Sequence, residues 1–266
     1  MSEAFAQAVA AGLTTQWLGR AHRHHPRTGS TNDDAIAWAA GAGDQGAGHG
    51  ALVTADTQDA GRGRFGRTWH SPADAHVYAS VVLRPEVADG RWAGLGLAVG
   101  VALRAGLSRW CSEIGLKWPN DLVIGERKLA GILCEARWIG AAPQIVVGFG
   151  INVRAAGWPE ELRTRAVALD EVGGDGVERA AVLVAVLDAL EPVLDGFARD
   201  GFAAVRERYE AACVSLGRLV QVSLGDRGEA REVFAQAIDH DGALLVREGL
   251  GGGVRRVDAG ELLGSG

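Results

Sequence analysis

The sequence predicts an α+β fold in which a larger domain, residues 1–213, precedes a small β-barrel domain, residues 214–266. Helical and strand-like patterns are interspersed as far as about residue 212, whereas short strand-like runs separated by Gly- and Asp-rich turns follow from Leu216. A chain of 266 residues is long enough for one medium domain and one small domain. Together these observations indicate a mixed domain followed by a small all-β unit.

The helices of the larger domain are predicted from apolar residues at helical spacing and from capping residues. These signals predict helices over residues 2–18, 35–40, 92–110, 177–198 and 202–212. Ser30 and Thr31 precede the second helix as N-cap types, and Asp33 and Asp34 suit its first turn. Pro192 predicts a break within the fourth helix.

Strands are predicted from β-branched and apolar runs between turn residues. In the larger domain these runs cover residues 51–57, 77–83, 122–124, 129–136 and 145–153. In the small domain they cover residues 219–224, 232–238, 243–246 and 254–258. The polar segment from His22 to Arg27 fits neither pattern, and we expect a solvated loop there rather than a metal site built on its three histidines.

Charge and cysteine content narrow the class of protein. A net charge of −6 argues against a general nucleic-acid binder, so any anion site must come from a local cluster of basic residues. Cys111, Cys134 and Cys213 form no CxxC pair, which fits a reducing cytoplasm and predicts neither a zinc site nor a disulfide framework. Without a secretory signal or a bulky apolar stretch of about 18 residues, we expect a cytoplasmic protein that does not bind membranes.

The most informative segment is Gly61-Arg62-Gly63-Arg64-Phe65-Gly66-Arg67, within a loop over residues 58–72 that we call the Gly/Arg loop. It matches the GxGxxG dinucleotide fingerprint, which requires a helix directly after the glycines. Here residues 68–72 and then another strand follow. The sequence therefore argues against a Rossmann site at this position.

The arginines of the Gly/Arg loop indicate an anion site. Three arginines within six residues repel one another unless an anion binds, and Arg offers paired donors that match phosphate and carboxylate. The glycines give the loop freedom to fold over such a ligand, and Trp69 can stack on a planar base. The pattern favours a loop that covers a phosphate-containing ligand, with an exposed basic loop as the alternative.

Two further segments add candidate side chains. Residues 117–121, Lys-Trp-Pro-Asn-Asp, place a cation, an amide and a carboxylate beside a proline turn, where they can meet nucleotide phosphates and a magnesium ion. The alternative is a simple turn with a buried Trp. Lys128 begins an apolar strand in which Ala130 and Gly131 permit close approach of a ligand, and the alternative is a surface lysine on an edge strand.

Five segments in this order resemble the biotin–protein ligase family, and the resemblance runs from about Thr28 to the C-terminus. The matching segments are residues 29–32, 57–69, 117–122, 128–133 and 148–152. Each motif is weak alone, whereas five in order are highly specific. The resemblance implies a class II synthetase-like catalytic domain with a mixed sheet over residues 1–213, which would bind biotin and ATP, and an SH3-like domain over residues 214–266.

The family's reaction would form biotinyl-5′-AMP from biotin and ATP with Mg²⁺, and would then transfer biotin to a lysine of a biotin carboxyl carrier domain of an acyl-CoA or pyruvate carboxylase. Members that repress transcription carry an N-terminal DNA-binding domain. Only about 27 residues precede the first motif here, so we expect the short form without DNA binding. We also expect a monomer or a weak homodimer.

Family roles can be carried over by position. The residues that would contact biotin are Ser30, Thr31, Asn32, Gln58, Arg62, Arg64, Lys128 and Gly131. Those that would contact ATP are Arg64, Arg67, Trp69, Lys117, Asn120, Asp121, Lys128 and Asn152. Lys128, Arg64 and Arg67 would be catalytic, and Asp121 would hold magnesium.

Two other functions compete with this interpretation. A lipoate–protein ligase would share the fold and the adenylation chemistry, but its Arg-Arg-x-Ser-Gly-Gly-Gly loop is absent, and the Gly/Arg loop stands in its place. A non-catalytic biotin- or nucleotide-binding module would not need Lys128, Asn120 and Asp121, which are all present. Turnover would separate the enzyme from the binding module.

Overall fold

The computed structural model describes residues 2–41, 46–85, 92–139, 142–155, 157–174, 176–223, 231–249, 252–258 and 261–263. The larger sheet consists of β1 His22–His25, β2 Leu52–Ala55, β3 Val77–Leu83, β4 Gly115–Lys117, β5 Asp121–Ile124, β6 Arg127–Ile139 and β7 Ala142–Ile151. Its strand order is β1-β2-β3-β7-β6-β5-β4. β1 and β2 are parallel and the other neighbours are antiparallel, so the sheet is mixed.

Helices cover both faces of this sheet. They are α1 Ser2–Gly12, α2 Thr31–Ala39, α3 Leu95–Leu107, α4 Glu160–Arg163, α5 Leu169–Val172, α6 Arg179–Asp200 and α7 Arg206–Ala212. Successive strand residues point to opposite faces: Val81 joins the apolar cluster that contains α3 and α6, and Val82 joins the one that contains α2. No helix in the described ranges has the length and apolar composition that crossing a membrane requires.

The C-terminal part forms a second, antiparallel sheet. Its strands are β8 Leu219–Ser223, β9 Arg231–Ile238, β10 Leu244–Arg247, β11 Val254–Val257 and β12 Glu261–Leu263, in the order β11-β10-β9-β8-β12. Four were predicted, although residue 224 lies outside the described residues, and β12 was missed. The α+β class is confirmed. The boundary at residue 213 stays a prediction, and Trp118 links the two parts by donating from Nε1 to Gly242 O at 3.0 Å.

The expectations about two of the helices are wrong. Pro192 does not break its helix, because α6 runs from Arg179 to Asp200 and its apolar side is buried against α1 and α3. Tertiary packing here outweighs the hydrogen bond that proline removes. The first helix is also shorter than expected and ends at Gly12.

The histidine segment is an edge strand rather than a solvated loop. β1 pairs in parallel with β2, and His22 Nε2 and His24 Nδ1 each lie 2.8 Å from the Thr54 hydroxyl. Burial lowers the pKa of His22 to about 4, so its imidazole is neutral near pH 7. The sequence pattern missed the strand because its regular hydrogen bonds depend on β2, a distant segment.

Glu191 anchors the chain that follows α1. Its carboxylate accepts backbone N–H groups from Gln16 at 2.7 Å and from Trp17 and Leu18 at 2.8 Å each. Burial alone would raise the pKa of Glu191, but the three hydrogen bonds outweigh it and hold the pKa below its usual value. The charged carboxylate therefore stabilises the fold.

We expect Glu191→Gln to reduce the free energy of unfolding by about 2 kcal/mol at pH 7, because an amide cannot accept all three N–H groups. The stabilisation is present above the unfolded-state pKa and is lost as pH falls through the lowered folded-state pKa, so the difference should shrink below about pH 4. Urea unfolding at several pH values measures this. Glu207→Gln, at an exposed position, is the matched control, and equal stability of both variants would contradict the assignment.

Candidate active site

A cavity of about 340 Å³ lies between the Gly/Arg loop and strands β6 and β7. It is also lined by the start of α2, the turn between β4 and β5, and parts of the segment 158–166. Every candidate site residue predicted from the sequence lines it: Ser30, Thr31, Asn32, Gln58, Arg62, Arg64, Arg67, Trp69, Lys117, Asn120, Asp121, Lys128, Gly131 and Asn152. The fold thus brings distant motifs to one place.

Buried hydrogen bonds hold Thr31 and Asn32 at the start of α2. The Ser80 hydroxyl lies 2.8 Å from Thr31 Oγ1 and 2.6 Å from Asn32 Oδ1. Asn32 Nδ2 donates to Glu135 Oε2 at 2.7 Å, and the Thr31 backbone N–H donates to Gln58 Oε1 at 2.9 Å. Polar groups at this end of the cavity are therefore oriented before a ligand arrives, which suits a ligand with a polar edge.

Three glycines of β6 and β7 let side chains lie directly on the sheet. A Cβ atom at Gly148 would be 2.0 Å from Asn32 Oδ1, and one at Gly150 would be 2.5 Å from Trp69 Cε2. At Gly131 the nearest atom would be Trp69 Cζ3, at 2.9 Å. These separations are too short for a real Cβ atom, so any larger residue would displace Asn32 or Trp69.

The Gly/Arg loop connects two neighbouring antiparallel strands, and contacts within the loop hold its two sides together. It leaves β2, forms a single 3-10 turn over Arg64–Gly66 and returns to β3. A bridge between Arg62 and Thr68 and a 2.7 Å hydrogen bond from Gly63 N to Arg67 O hold it together. No helix follows the glycines, which confirms the argument against a dinucleotide fingerprint.

Arg62 joins the loop to α2 and β6. Its guanidinium donates to Asp33 Oδ1 at 2.7 Å and to Glu135 Oε2 at 3.3 Å. The hydrogen bond from Arg62, together with its charge, lowers the pKa of Asp33 despite partial burial. Because Glu135 also accepts from Asn32, one carboxylate connects the loop with the polar cluster at the start of α2.

Trp69 supplies a planar surface with an unsatisfied donor. The indole lies against Gly131 and Gly150, and Lys128 Nζ is 5.2 Å from its ring centroid. The Nε1–H group is buried and has no hydrogen-bond partner in the described part of the chain. Such a buried donor costs about 1–3 kcal/mol unless an acceptor meets it, so Trp69 is a candidate for ligand contact.

Lys128 and Asp121 form an ion pair within the cavity, with Nζ and Oδ1 2.6 Å apart. Beside them, Asn120 Nδ2 donates to Ile132 O at 2.9 Å, and Asn120 Oδ1 accepts from Arg64 Nη1 at 3.4 Å. The turn between β4 and β5 thus presents a carboxylate and an amide next to the Gly/Arg loop. Lys117 and Lys128, the two lysines of the sequence, both line the cavity.

Asn152 supports the backbone around Lys128. Its Nδ2 donates to Lys128 O at 3.1 Å and to Val167 O at 3.2 Å. The Lys128 backbone N–H in turn donates to Arg165 O at 2.8 Å. These contacts place Asn152 at the edge of the cavity and give it a clear role in positioning the start of β6.

Sequence reasoning missed the segment after β7. Trp158, Leu162 and Arg165 line the cavity, yet the segment carries no motif that was recognised. The tryptophan and the arginine were the available signals. They gain meaning only from the backbone pairing of Arg165 and Ala166 with Lys128, which is a long-range contact.

The cavity concentrates positive charge in an acidic protein. Its basic lining residues are Arg62, Arg64, Arg67, Lys117, Lys128 and Arg165, and Asp121 is the one Asp or Glu side chain among the described lining residues. Cations at close quarters with apolar and aromatic walls suit a ligand that carries phosphate or carboxylate groups beside a planar ring.

Comparisons of the chain with a family model and with known proteins agree on one family. Residues 27–152 match the model of the biotin/lipoate A/B protein ligase family. The biotin–[acetyl-CoA-carboxylase] ligase of Mycobacterium tuberculosis is 35% identical over 89% of this chain and 86% of its own length. The bifunctional ligase/repressor BirA of Escherichia coli is 34% identical over 75% of this chain, and the aligned part spans 62% of BirA.

Among solved structures, the biotin protein ligase from Aquifex aeolicus in complex with biotin and ATP superimposes with a TM-score of 0.77. It is 28% identical, and the match covers 92% of this chain and 98% of that one. The fold, the order of the motifs and these likenesses agree, and the chain belongs to the biotin/lipoate A/B protein ligase family, within its biotin–protein ligases.

Proposed function

We propose that this protein is a biotin–protein ligase that activates biotin with ATP and transfers it to a lysine of a carrier protein. The observation that carries the proposal is the single cavity that unites the ion pair of Lys128 and Asp121 with the arginines and Trp69 of the Gly/Arg loop. The names of the relatives support the choice of biotin as the acid and of a carboxylase carrier as the acceptor.

In the first step a carboxylate oxygen of biotin attacks the α-phosphorus of ATP. The new C–O–P linkage forms, the bond from the α-phosphorus to the β-phosphate oxygen breaks, and pyrophosphate leaves. Two anions must approach each other, so the main requirement is neutralisation of charge. Arg64, Arg67 and Lys128 line the cavity and would supply this charge.

The remaining contacts would orient the two substrates. Ser30, Thr31 and Asn32 would face the ureido ring of biotin, because they form the oriented polar end of the cavity, and Gln58 holds Thr31. Trp69 would lie against the adenine of ATP. Lys117 and Asn120 would contact the phosphates of ATP. The backbone of Gly131 would contact biotin, because the absence of a Cβ atom leaves room there.

Asp121 fits a magnesium ion as a single protein ligand. Mg²⁺ at nucleotide sites is commonly held by one or two carboxylates together with substrate phosphates, and Asp121 is the lining carboxylate of the cavity, with the oxygen of Asn120 next to it. A bound magnesium ion would neutralise phosphate charge. Asp121 itself pairs with Lys128 and so also sets the position of that ammonium group.

In the second step the free amine of a carrier lysine attacks the carbonyl carbon of the mixed anhydride. An amide bond forms, the bond to the phosphate oxygen breaks, and AMP leaves with loss of the amine proton. The anhydride is labile in water, and the Gly/Arg loop over the cavity would limit its hydrolysis. The acceptor would be a biotin carboxyl carrier domain, and we place the reaction in the cytoplasm.

The decisive measurement is biotin-dependent exchange of labelled pyrophosphate into ATP, with magnesium and with lipoate and no-acid controls. We expect exchange with biotin and none with lipoate. Exchange with lipoate alone would assign the chain to the lipoate branch of the family. Biotin binding without any exchange would favour a non-catalytic binding module.

Lys128→Met should lower the exchange rate about 100-fold or more, because it removes a cation from beside the reacting groups while keeping the apolar stem under Trp69. Arg127→Met is the matched control, since Arg127 is the preceding residue of β6 and pairs with Glu171 outside the cavity. Steady-state exchange kinetics measure both variants. A Lys128→Met rate within about threefold of wild type would remove Lys128 from the mechanism.

Gly150→Ala should displace the Trp69 indole, because the new Cβ would lie 2.5 Å from its Cε2. We expect at least about a tenfold loss in kcat/KM for ATP with little change in melting temperature. Gly96→Ala is the control, because its nearest neighbour would be Cys134 Sγ at 3.9 Å. If both variants had the activity of wild type, the contact between Trp69 and Gly150 would be irrelevant to catalysis.

A further inference from the structure

The two ends of the Gly/Arg loop meet at a pair of acidic residues. Asp56 follows β2 and Asp74 precedes β3, and the Asp74 backbone N–H donates to Asp56 O at 3.1 Å. Just inside them, the Thr57 hydroxyl donates to Ser71 O at 2.7 Å. The loop therefore leaves the sheet and returns to it at one point, and its base carries two carboxylates.

Arg179, the first residue of α6, joins these two carboxylates. Its Nη2 lies 2.9 Å from Asp56 Oδ1 and 2.8 Å from Asp74 Oδ1. The side chains of Arg179 and Asp56 are only 10% and 9% exposed, and that of Asp74 is 42% exposed. The guanidinium also lies 4.7 Å from the ring centroid of Phe5, so its position is fixed from several sides.

The charge of Arg179 also favours its contact with the acidic residues at the loop base. Burial alone would raise the pKa of Asp56, but the hydrogen bond and charge of Arg179 outweigh it and lower the pKa. Arg179 Nη2 thus lies between two acidic side chains and donates to both of them. Asp74 also adopts φ 56°, a left-handed conformation that the surrounding contacts hold.

The same arginine reaches the second segment that covers the cavity. Arg179 Nη1 donates to the backbone oxygen of His76 at 3.4 Å. The buried His76 ring faces the indole N–H of Trp158, with Nε2 and Nε1 2.9 Å apart, and the Val153 backbone N–H on its other side at 3.2 Å. Trp158 lines the cavity, so Arg179 is linked both to the base of the Gly/Arg loop and, through His76, to the wall of the cavity at Trp158.

We propose that Arg179 is a positioning residue for adenylation: by holding Asp56 and Asp74 together it fixes the base of the Gly/Arg loop and hence the placement of Arg64, Arg67 and Trp69. Arg179 is not among the lining residues of the cavity, so it acts through the loop rather than on substrate. The kinetic part of this inference rests on the proposed function, whereas the structural part concerns the loop alone.

Loosening the loop base should affect the chemical step more than biotin binding. Misplacing charged groups by about 1 Å can cost on the order of 100-fold in rate. The hydrogen bonds among Thr31, Asn32 and Ser80 lie between α2 and β3, and the loop contacts this cluster through Gln58, which accepts from the Thr31 backbone N–H. We therefore expect Arg179→Met to lower kcat for pyrophosphate exchange about 10- to 100-fold, with a smaller change in KM for biotin.

The test compares Arg179→Met, Arg179→Lys and Asp74→Asn with wild type by hydrogen exchange without substrate and by exchange kinetics. Arg199→Met is the matched control, because Arg199 is exposed near the other end of α6. The backbone amides of Gly63 and Trp69, which are hydrogen-bonded in the loop, and that of Asp74 at its base should exchange faster in the Arg179 variants. The amides of β3, such as that of Val81, should keep the protection of wild type.

A double-mutant cycle between Arg179 and Asp74 distinguishes a positioning role from a general effect on stability. If Arg179 acts through Asp74, the double variant Arg179→Met/Asp74→Asn should lose less activity than the product of the two single losses. Asn tolerates the left-handed conformation at position 74, so Asp74→Asn and Arg179→Lys decide the question if Arg179→Met does not fold. Loop protection and kcat equal to wild type in folded variants, or losses that multiply fully, would overturn the proposal.

Failure of the proposed function and failure of the positioning role of Arg179 would give different results. If the wild-type protein catalyses no pyrophosphate exchange, the proposed function is wrong, and amide exchange in the loop still decides whether Arg179 fixes it. If the wild type is active and the variants keep its kcat and loop protection, the positioning role alone is wrong.

Discussion

Repulsion between the basic side chains around the cavity is the constraint on which the rest of the site depends. Arg62, Arg64 and Arg67 lie within six residues of one another, in a chain whose net charge is −6. Such a cluster is stable only where carboxylates and amides face it. Arg62 is met by Asp33 and Glu135, and Arg64 contacts Asn120. The partners come from α2, β6 and the β4–β5 turn, so balancing the charges also assembles the cavity.

A second constraint is the absence of Cβ atoms along the floor. Gly131, Gly148 and Gly150 allow the Trp69 indole and the Asn32 amide to lie flat against β6 and β7. The cavity therefore reaches down to the strands because these three positions carry no Cβ atoms. Because the loop above is tied at its base by two aspartates and one arginine, a flexible sequence can still present its side chains at defined positions.

Contiguous motifs made much of the molecule predictable from sequence. β3 spans the predicted residues, and all the candidate site residues line one cavity. The failures share a cause, since each depends on a partner far along the chain. β1 requires β2, Pro192 is tolerated because α6 packs against other helices, and Glu191 acts through the amides of residues 16–18. Ser80, Glu135 and Arg165 likewise lie outside any motif and gain their roles only in three dimensions.

The location of both lysines in the cavity has a chemical consequence for the proposed reaction, which forms an amine-reactive anhydride. Elsewhere the basic side chains are arginine or histidine, and a guanidinium stays protonated and is a poor nucleophile near neutral pH. An activated acyl group that left the cavity would find no ε-amino group elsewhere in this sequence. The chain is thus poorly suited to acylate its own surface, and lysine-directed reagents would report on the cavity rather than on the fold as a whole.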